Sequence, residues 1–267
     1  MWIKGRKGLF AALRKHILPS DEVVWVHCAS LGEFEQGRPL ITEIKNRYPN
    51  KKIVLTFFSP SGYEVQKNFA LADVVCYLPL DTKFNARRFL KIAHPEKAFF
   101  IKYEYWYNYL SVLKKRNIPA YFVSAIFRPD QLFFKKYGSW YRNMLCKADH
   151  FFLQNENSAD LLKTININNY TIVGDTRFDR VANVLLNAKP LEIVERFVNG
   201  NPVVVGGSTW KAEEALLKQF LVKHPEVKLI LVPHEVENGS VDRIMQQFRN
   251  LAVRYSQAGN VDNSNKQ

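Results

Sequence analysis

Apolar, β-branched and aromatic runs recur at residues 23–28, 52–57, 73–77, 97–101, 119–124 and 149–153. Between most of them lie helix-like stretches, at 35–48, 62–70, 83–93, 105–117 and 131–147. This alternation constrains the fold more than any other feature of the chain. Strands separated by helical patterns predict βαβ units and a mostly parallel sheet. The runs themselves agree. Lys52-Ile53-Val54-Leu55-Thr56-Phe57 does not alternate apolar with polar residues, as expected of a strand covered by helices on both faces.

Near residue 170 the pattern changes. Residues 170–173 read as a short strand leading into Gly174-Asp175-Thr176-Arg177-Phe178-Asp179, then a helical linker to about 198 and a turn at Asn199-Gly200-Asn201-Pro202. Beyond it, 202–205 reads as a strand, Gly206-Gly207-Ser208-Thr209 as a turn, 211–223 as a helix, 228–232 as a strand and 240–249 as a helix. The reading is therefore α/β throughout. Residues 1–18 form a basic amphipathic helix, 19–184 a complete Rossmann-like domain, and 185–267 part of a second one. Two βα units bury little by themselves, so the chain reads as a fragment, or an early-terminated product, of a longer two-domain protein.

Composition enters with the partners. The formal charge of +13 favours an anionic one: phosphate, nucleotide, nucleic acid or an acidic membrane surface. An apolar fraction of 47% excludes bulk disorder. Cys28, Cys76 and Cys146 are odd in number and far apart, which predicts reduced, cytosolic thiols rather than a disulfide frame or a zinc site. No apolar run is long enough to span a bilayer, and no signal-peptide core precedes the first strand. Residues 1–18 carry Lys4, Arg6, Lys7, Arg14 and Lys15 and no acid, with Trp2, Ile3, Leu9, Phe10, Leu13 and Ile17 as the apolar side. That suits a helix lying on an anionic membrane, and equally a surface helix packed on the domain.

Several strand ends carry candidate chemistry. Ligands of open α/β sheets bind outside the carboxyl ends of the strands. Glu33, in Ser30-Leu31-Gly32-Glu33, follows the first strand at the mouth of a helix, whose dipole favours an ionised carboxylate. Such a group can act as a general base or simply cap the helix. Ser59-Pro60-Ser61-Gly62 closes the second strand and suits an anion at a helix N-terminus, or is a routine turn with Ser61 as cap. Lys102-Tyr103-Glu104-Tyr105-Trp106 follows the fourth strand, so a second carboxylate, Glu104, can face the same cleft. Gly206-Gly207-Ser208-Thr209 is the best phosphate candidate, although it is neither a Walker loop nor GxGxxG. His234 and Glu235 end the next strand, where His234 is either a ligand or a structural residue. Arg177 suits a carboxylate or phosphate, or pairs with Asp175 or Asp179. Arg128 is a weaker case of the same kind. His27 and Cys28 are not spaced as a metal pair, and no other cluster suggests a metal.

Taken in order, these stretches resemble the 3-deoxy-D-manno-octulosonic acid (Kdo) transferases of lipopolysaccharide synthesis. The resemblance rests on Ser30-Leu31-Gly32-Glu33, the segment Thr56 to Gly62, Pro79-Leu80-Asp81, Glu104 with Trp106, Gly174 to Asp179, and Gly207-Ser208-Thr209, and it spans about Trp2 to Glu237. It implies a GT-B-type glycosyltransferase with an acceptor-binding N-terminal domain and a nucleotide-sugar-binding C-terminal domain. It implies inverting transfer from CMP-Kdo to a lipid A precursor, with no metal or other cofactor. Glu33 becomes the base, with Ser30, Ser59, Ser61, Gly62, Glu104 and Arg177 on the acceptor side. Gly206, Gly207, Ser208, Thr209, His234 and Glu235 fall on the donor side.

The implied partners are CMP-Kdo, the lipid A precursor and the anionic inner-membrane surface, with no nucleic acid. The implied location is the cytoplasmic face of the bacterial inner membrane, peripheral or anchored by a segment outside this chain. Lys102 stands where the family pattern has glutamate, Ser124-Ala125-Ile126 where it has Asn-x-Arg, and Pro233 to Glu237 where it has Pro-Arg-His-Pro-Glu-Arg. Members usually begin with a hydrophobic segment and continue with a Gly-rich donor segment, so this chain alone is expected to show little or no transfer. The alternatives are another lipid-linked GT-B enzyme using a UDP-sugar, a non-catalytic anion-binding α/β module, and an inactive truncated product. No RNP, KH or helix-turn-helix pattern supports a nucleic-acid module.

Overall fold

In the computed structural model the described residues are 6, 8–186 and 188–259. The chain divides into two compact units, Met1–Leu186 and Asn187–Gln267. The first contains α1 (Leu9–His16), β1 (Val23–Cys28), α2 (Leu31–Arg47), β2 (Lys52–Phe57), α3 (Pro60–Gln66), β3 (Val74–Tyr77), α4 (Lys83–Ala93), β4 (Lys97–Ile101) and α5 (Tyr107–Lys115). It continues with β5 (Ala120–Ala125), α6 (Ser139–Leu145), β6 (His150–Leu153), α7 (Glu156–Lys163), β7 (Tyr170–Ile172) and α8 (Thr176–Leu186). The second holds α9 (Glu192–Val198), β8 (Val203–Thr209), α10 (Lys211–Lys223), β9 (Lys228–Pro233) and α11 (Asn238–Phe248).

The first unit is a seven-stranded sheet in the order β3-β2-β1-β4-β5-β6-β7, every paired neighbour parallel. The chain winds outward from β1 to β3, then returns to lay β4 on the other side of β1. Strand order therefore reverses between β1 and β4, the place where open α/β sheets hold their ligands. Both faces are covered, as the unbroken apolar runs require. One core joins α1, α4, α5, α6 and α7 to the sheet through residues such as Leu13, Trp25, Phe89, Leu110, Leu145 and Leu162. The other lies under α2 through Val26, Phe34, Ile41, Leu55 and Phe57. Phe100, Phe122 and Phe151 are register partners across β4, β5 and β6, and their rings stack with centroids 5.2–5.3 Å apart. Cross-strand aromatic pairs of this kind contribute roughly 0.2–1 kcal/mol each.

Of the basic N-terminal segment, Trp2, Ile3, Lys4 and Lys7 lie outside the described residues. Helix α1 packs on the domain through Leu9, Leu13 and Ile17 and turns Arg14, Lys15 and His16 outward. The helix expected over 131–147 is broken. Leu132–Phe134 is a single 3₁₀ turn and the α-helix starts only at Ser139. At Gly138 the chain folds back so closely that a Cβ would sit 1.9 Å from the Leu132 carbonyl oxygen.

The second unit is smaller, with β8 and β9 paired in parallel and a core of Leu221, Val227, Ile244 and Phe248. Here Gly206-Gly207-Ser208-Thr209 is not the turn expected after a strand ending at 205. Gly206 and Gly207 stay paired with Leu231 and Val232, and a register shift with Ser208 at φ +58° carries the strand on to Thr209. Backbone pairing needs no side chain, so glycines that read as a turn can continue a ladder.

Candidate active site

Glu33 stands in the first turn of α2, directly off the end of β1. Its carboxylate has two partners. Ser30 Oγ donates to Oε2, and Lys102 Nζ lies 3.4 Å from Oε1. Burial alone would push the Glu33 pKa up. The Ser30 hydrogen bond, the Lys102 charge and Glu33's own backbone N–H outweigh it, and the carboxyl sits below its ordinary value. Lys102 reaches this position from the turn after β4, where it holds a left-handed φ of +65° and donates its backbone N–H to the Val123 carbonyl. The family position that the sequence reading marked as a departure thus places a cation against the proposed base.

Glu104 emerges two residues later. Its Oε2 accepts from Trp106 Nε1 at 3.1 Å and lies 3.5 Å from His27 Nε2. His27 is fully buried on β1, register partner of Thr56 on β2. Its Nδ1 is 2.8 Å from Thr56 Oγ1, which also accepts from Trp25 Nε1 at 2.8 Å. The carboxylate before Nε2 favours the tautomer protonated there, leaving Nδ1 to accept the Thr56 hydroxyl proton. A polar chain of Trp25, Thr56 and His27 therefore crosses the core and ends behind Glu104. Sequence reading considered His27 only as a metal ligand. Its signal was a histidine in an apolar strand with a threonine at the matching position of the next.

The two carboxylates share one edge of the sheet. Burial pushes the Cys28 thiol well up, and the charges of Glu33 and Glu104 both add to that. Asp81, from the Pro79-Leu80-Asp81 motif, accepts the backbone N–H groups of Asn108 and Tyr109 and so ties the start of α5 to the end of β3. Ser59, not Ser61, caps α3, accepting from Ser61 N at 3.3 Å. Gly62 brings α3 against the β1–α2 turn, since a Cβ there would sit 2.3 Å from the Phe57 ring and 3.0 Å from the Ser30 carbonyl carbon.

Arg177 is engaged by Asp175, the plainer of the two readings. Its Nε donates to Asp175 Oδ2 at 2.8 Å while most of the side chain stays exposed. Part-burial works against the Asp175 charge, but Arg177 and Gln36 hold its pKa down to about 2. Gln36 Nε2 also reaches Ser124 Oγ, which Gln154 bonds as well. Ser124, with φ +56°, sits where the β5–β6 register shifts. Residues forced into this region concentrate at functional sites; the sequence reading named Asp175 and Ser124 but neither Gln36 nor Gln154, which join them. Arg128 lies exposed after β5.

In the second unit three donor-side candidates, Thr209, His234 and Glu235, line a pocket of about 490 Å³ together with Trp210, Lys211 and Arg243, among others. Ser208 Oγ is 2.7 Å from His234 Nδ1, and His234 stacks on Trp210 with centroids 4.5 Å apart. Thr209 Oγ1 is buried without a hydrogen-bond partner. Arg243 grips the buried Glu214 carboxylate, with Nη2 to Oε1 at 3.0 Å. Gly206, Gly207 and Ser208, in β8, are not among the pocket's lining residues. Among the described residues no group of three or more His, Cys, Asp or Glu could hold a metal ion. No helix among them is long and apolar enough to cross a membrane.

The family model described as 3-deoxy-D-manno-octulosonic-acid transferase (kdotransferase) matches residues 3–180. The 3-deoxy-D-manno-octulosonic acid transferase of Haemophilus influenzae is 28% identical over 231 residues, 84% of this chain and 54% of the relative. That of Aquifex aeolicus is 28% identical over 223 residues, 82% of this chain and 56% of the relative. The chain thus spans little more than half the length of these relatives. Among solved structures, a UDP-GlcNAc 2-epimerase from Neisseria meningitidis bound to UDP-GlcNAc aligns with TM-score 0.59 at 14% identity, over 84% of this chain and 68% of its own. The wall teichoic acid polymerase TagF aligns with TM-score 0.50 at 14% identity, over 93% of this chain and 63% of its own. Identity this low speaks for the fold alone, which is α/β of the GT-B type. With two thirds of its residues inside the family model, and with relatives of the same name aligned over more than four fifths of it, the chain belongs to the 3-deoxy-D-manno-octulosonic-acid transferase family.

Proposed function

We propose that this chain serves inverting transfer of Kdo from CMP-Kdo to a hydroxyl of a lipid A precursor, with Glu33 as the general base. The observation that carries the reading is an ionised, rigidly mounted carboxylate at the β1–β4 strand-order reversal in a chain of this family. The acceptor oxygen attacks the anomeric carbon. The bond to the CMP phosphate breaks, and its electron pair leaves with CMP. The acceptor proton passes to Glu33. Ser30 orients the base, and Glu104, backed by His27 and Trp106, holds a second hydroxyl of the acceptor or the sugar. Ser59, Ser61 and Gly62 border the same acceptor side, and Arg177 flanks it with Asp175. The CMP phosphate is taken by the second unit, at the start of α10 with Ser208, Thr209, His234 and Glu235. A helix N-terminus suits such an anion. No metal enters this scheme, and the enzyme works at the cytoplasmic face of the inner membrane.

The test measures labelled Kdo transfer from CMP-Kdo to a lipid A precursor. It uses this chain and a chimera that appends the C-terminal part of the Haemophilus influenzae relative. Glu33→Gln in the active form is expected to lower kcat by about 10²–10⁴-fold, the usual worth of a positioned base. Full activity in Glu33→Gln would move the base elsewhere. Transfer from a UDP-sugar but not from CMP-Kdo would replace the donor.

A further inference from the structure

Arg6 is one of the basic residues that precede α1, yet it turns its charge inward. The residue is half-buried, and that burial lowers the pKa of its guanidinium from the ordinary value. Its Nε donates to the Leu78 carbonyl at 2.9 Å and its Nη2 to the Phe58 carbonyl at 3.0 Å. Leu78 follows β3 and Phe58 follows β2, so one guanidinium spans the ends of two paired strands. The same group lies over the Phe58 and Tyr77 rings, 5.3 and 4.9 Å from their centroids. Phe58 passes this hold on. Its ring centroid stands 5.0 Å from that of Trp106, which also meets the His27 ring at 5.9 Å.

We propose that Arg6 is a positioning residue for Glu104. It clamps Phe58 against Trp106, and Trp106 aims its N–H at the carboxylate. Glu104 Oε2 accepts from Trp106 Nε1 at 3.1 Å and faces His27 Nε2 at 3.5 Å. Its Oε1 has no hydrogen-bond partner among the described residues, so the twist of the carboxylate decides what that oxygen can meet. The two supports of Oε2 are held differently. His27 is fixed inside the sheet, where its Nδ1 pairs with Thr56. Trp106 stands beyond the end of β4, at the N-cap of α5, and takes its place from the rings around it. Arginine suits the clamp, because its planar fork can bridge two carbonyls and still stack on rings, which a lysine ammonium does less well. The link to substrate rests on the reading of Glu104 as a group that holds a hydroxyl, while the clamp itself does not.

Solvent exchange of the indole N–H groups of this chain, followed by proton–nitrogen NMR, tests it. Trp106→Phe and Trp25→Phe identify the two signals that matter. Arg6→Ala is expected to speed exchange of the Trp106 indole at least about tenfold, near the worth of one hydrogen bond. The Trp25 indole, bonded to Thr56 Oγ1 in the core, should keep its rate. Phe58→Leu removes the ring and leaves Arg6 in place. It should speed Trp106 in the same way, and it serves should Arg6→Ala not fold, as near-UV circular dichroism will show. Arg6→Lys keeps the charge without the fork and is expected to behave like Arg6→Ala. An unchanged Trp106 rate in Arg6→Ala would overturn the proposal. So would equal acceleration of Trp25 and Trp106, which would mean general loosening. So would wild-type protection in Arg6→Lys, which would mean that charge alone suffices. In the active form used for the transfer assay, Arg6→Ala is expected to raise KM about tenfold and to lower kcat by less than about threefold, the pattern of lost binding rather than lost chemistry. Fast Trp106 exchange with an unaltered KM would keep the clamp and overturn the reading of Glu104 instead, so the two failures are separately visible.

Discussion

Lys102 decides what kind of base Glu33 is. A carboxylate paired with an ammonium and a serine hydroxyl is a well-defined acceptor but a weak one, since both partners stabilise its charged form. Its depressed pKa keeps it ionised throughout the neutral range. The linkage runs the same way. The interaction stabilises the fold above the ordinary glutamate value near about 4.3 and is lost as pH falls through the lower native value. Lys102→Gln is therefore expected to raise the Glu33 pKa, read by carbon NMR titration of its carboxyl. The acid-side loss of stability should move up with it. A Glu33 titration identical in the variant would remove Lys102 from this role. At this scale the sequence shows Glu33 and Glu104, because each closely follows an apolar run at a strand end. It hides His27, Thr56, Gln36 and Ser124. Their meaning lies in partners on other strands, and strand adjacency is not written in any one stretch.

Elements were legible where periodicity was clean and lost where backbone geometry overruled composition. The strand–helix alternation gave β1 to β6 within a residue or two, and α4 at its observed ends. Gly138 broke a helix that the apolar spacing supported, and two glycines in β8 continued a strand that their type argued against. Gly62 is a second crowded position beside Gly138. Its neighbours leave no room for a methyl group between α3, Phe57 and the Ser30 turn. Gly62→Ala is expected to cost about 1–3 kcal/mol, as overpacking does, measured by urea unfolding. A loss under about 0.5 kcal/mol would mean that the turn yields easily and that its position next to Ser30 is loosely held.

At the scale of the whole molecule the two units differ in how much they bury. The first has two extensive cores on a sheet covered on both faces. Among the described residues the second has a small core cluster of Leu221, Val227, Ile244 and Phe248, and Val203 and Val205 of β8 remain exposed. Hydrogen exchange in low urea is expected to open β8 and β9 while β1, β4 and β5 stay protected. Simultaneous exchange in both units would show that they unfold as one. Every side chain of β1 is buried, and the strand is hydrogen-bonded on both sides by β2 and β4. Such a strand lets its amides exchange last. Glu33 is carried in the first turn of the helix that follows, with only Ala29 and Ser30 between strand and helix. The carboxylate thus keeps its place for as long as the first unit stays folded. Heat or denaturant that silences the chain below that point must act on some other part first, so the half-life of activity and the half-life of this strand are separate clocks.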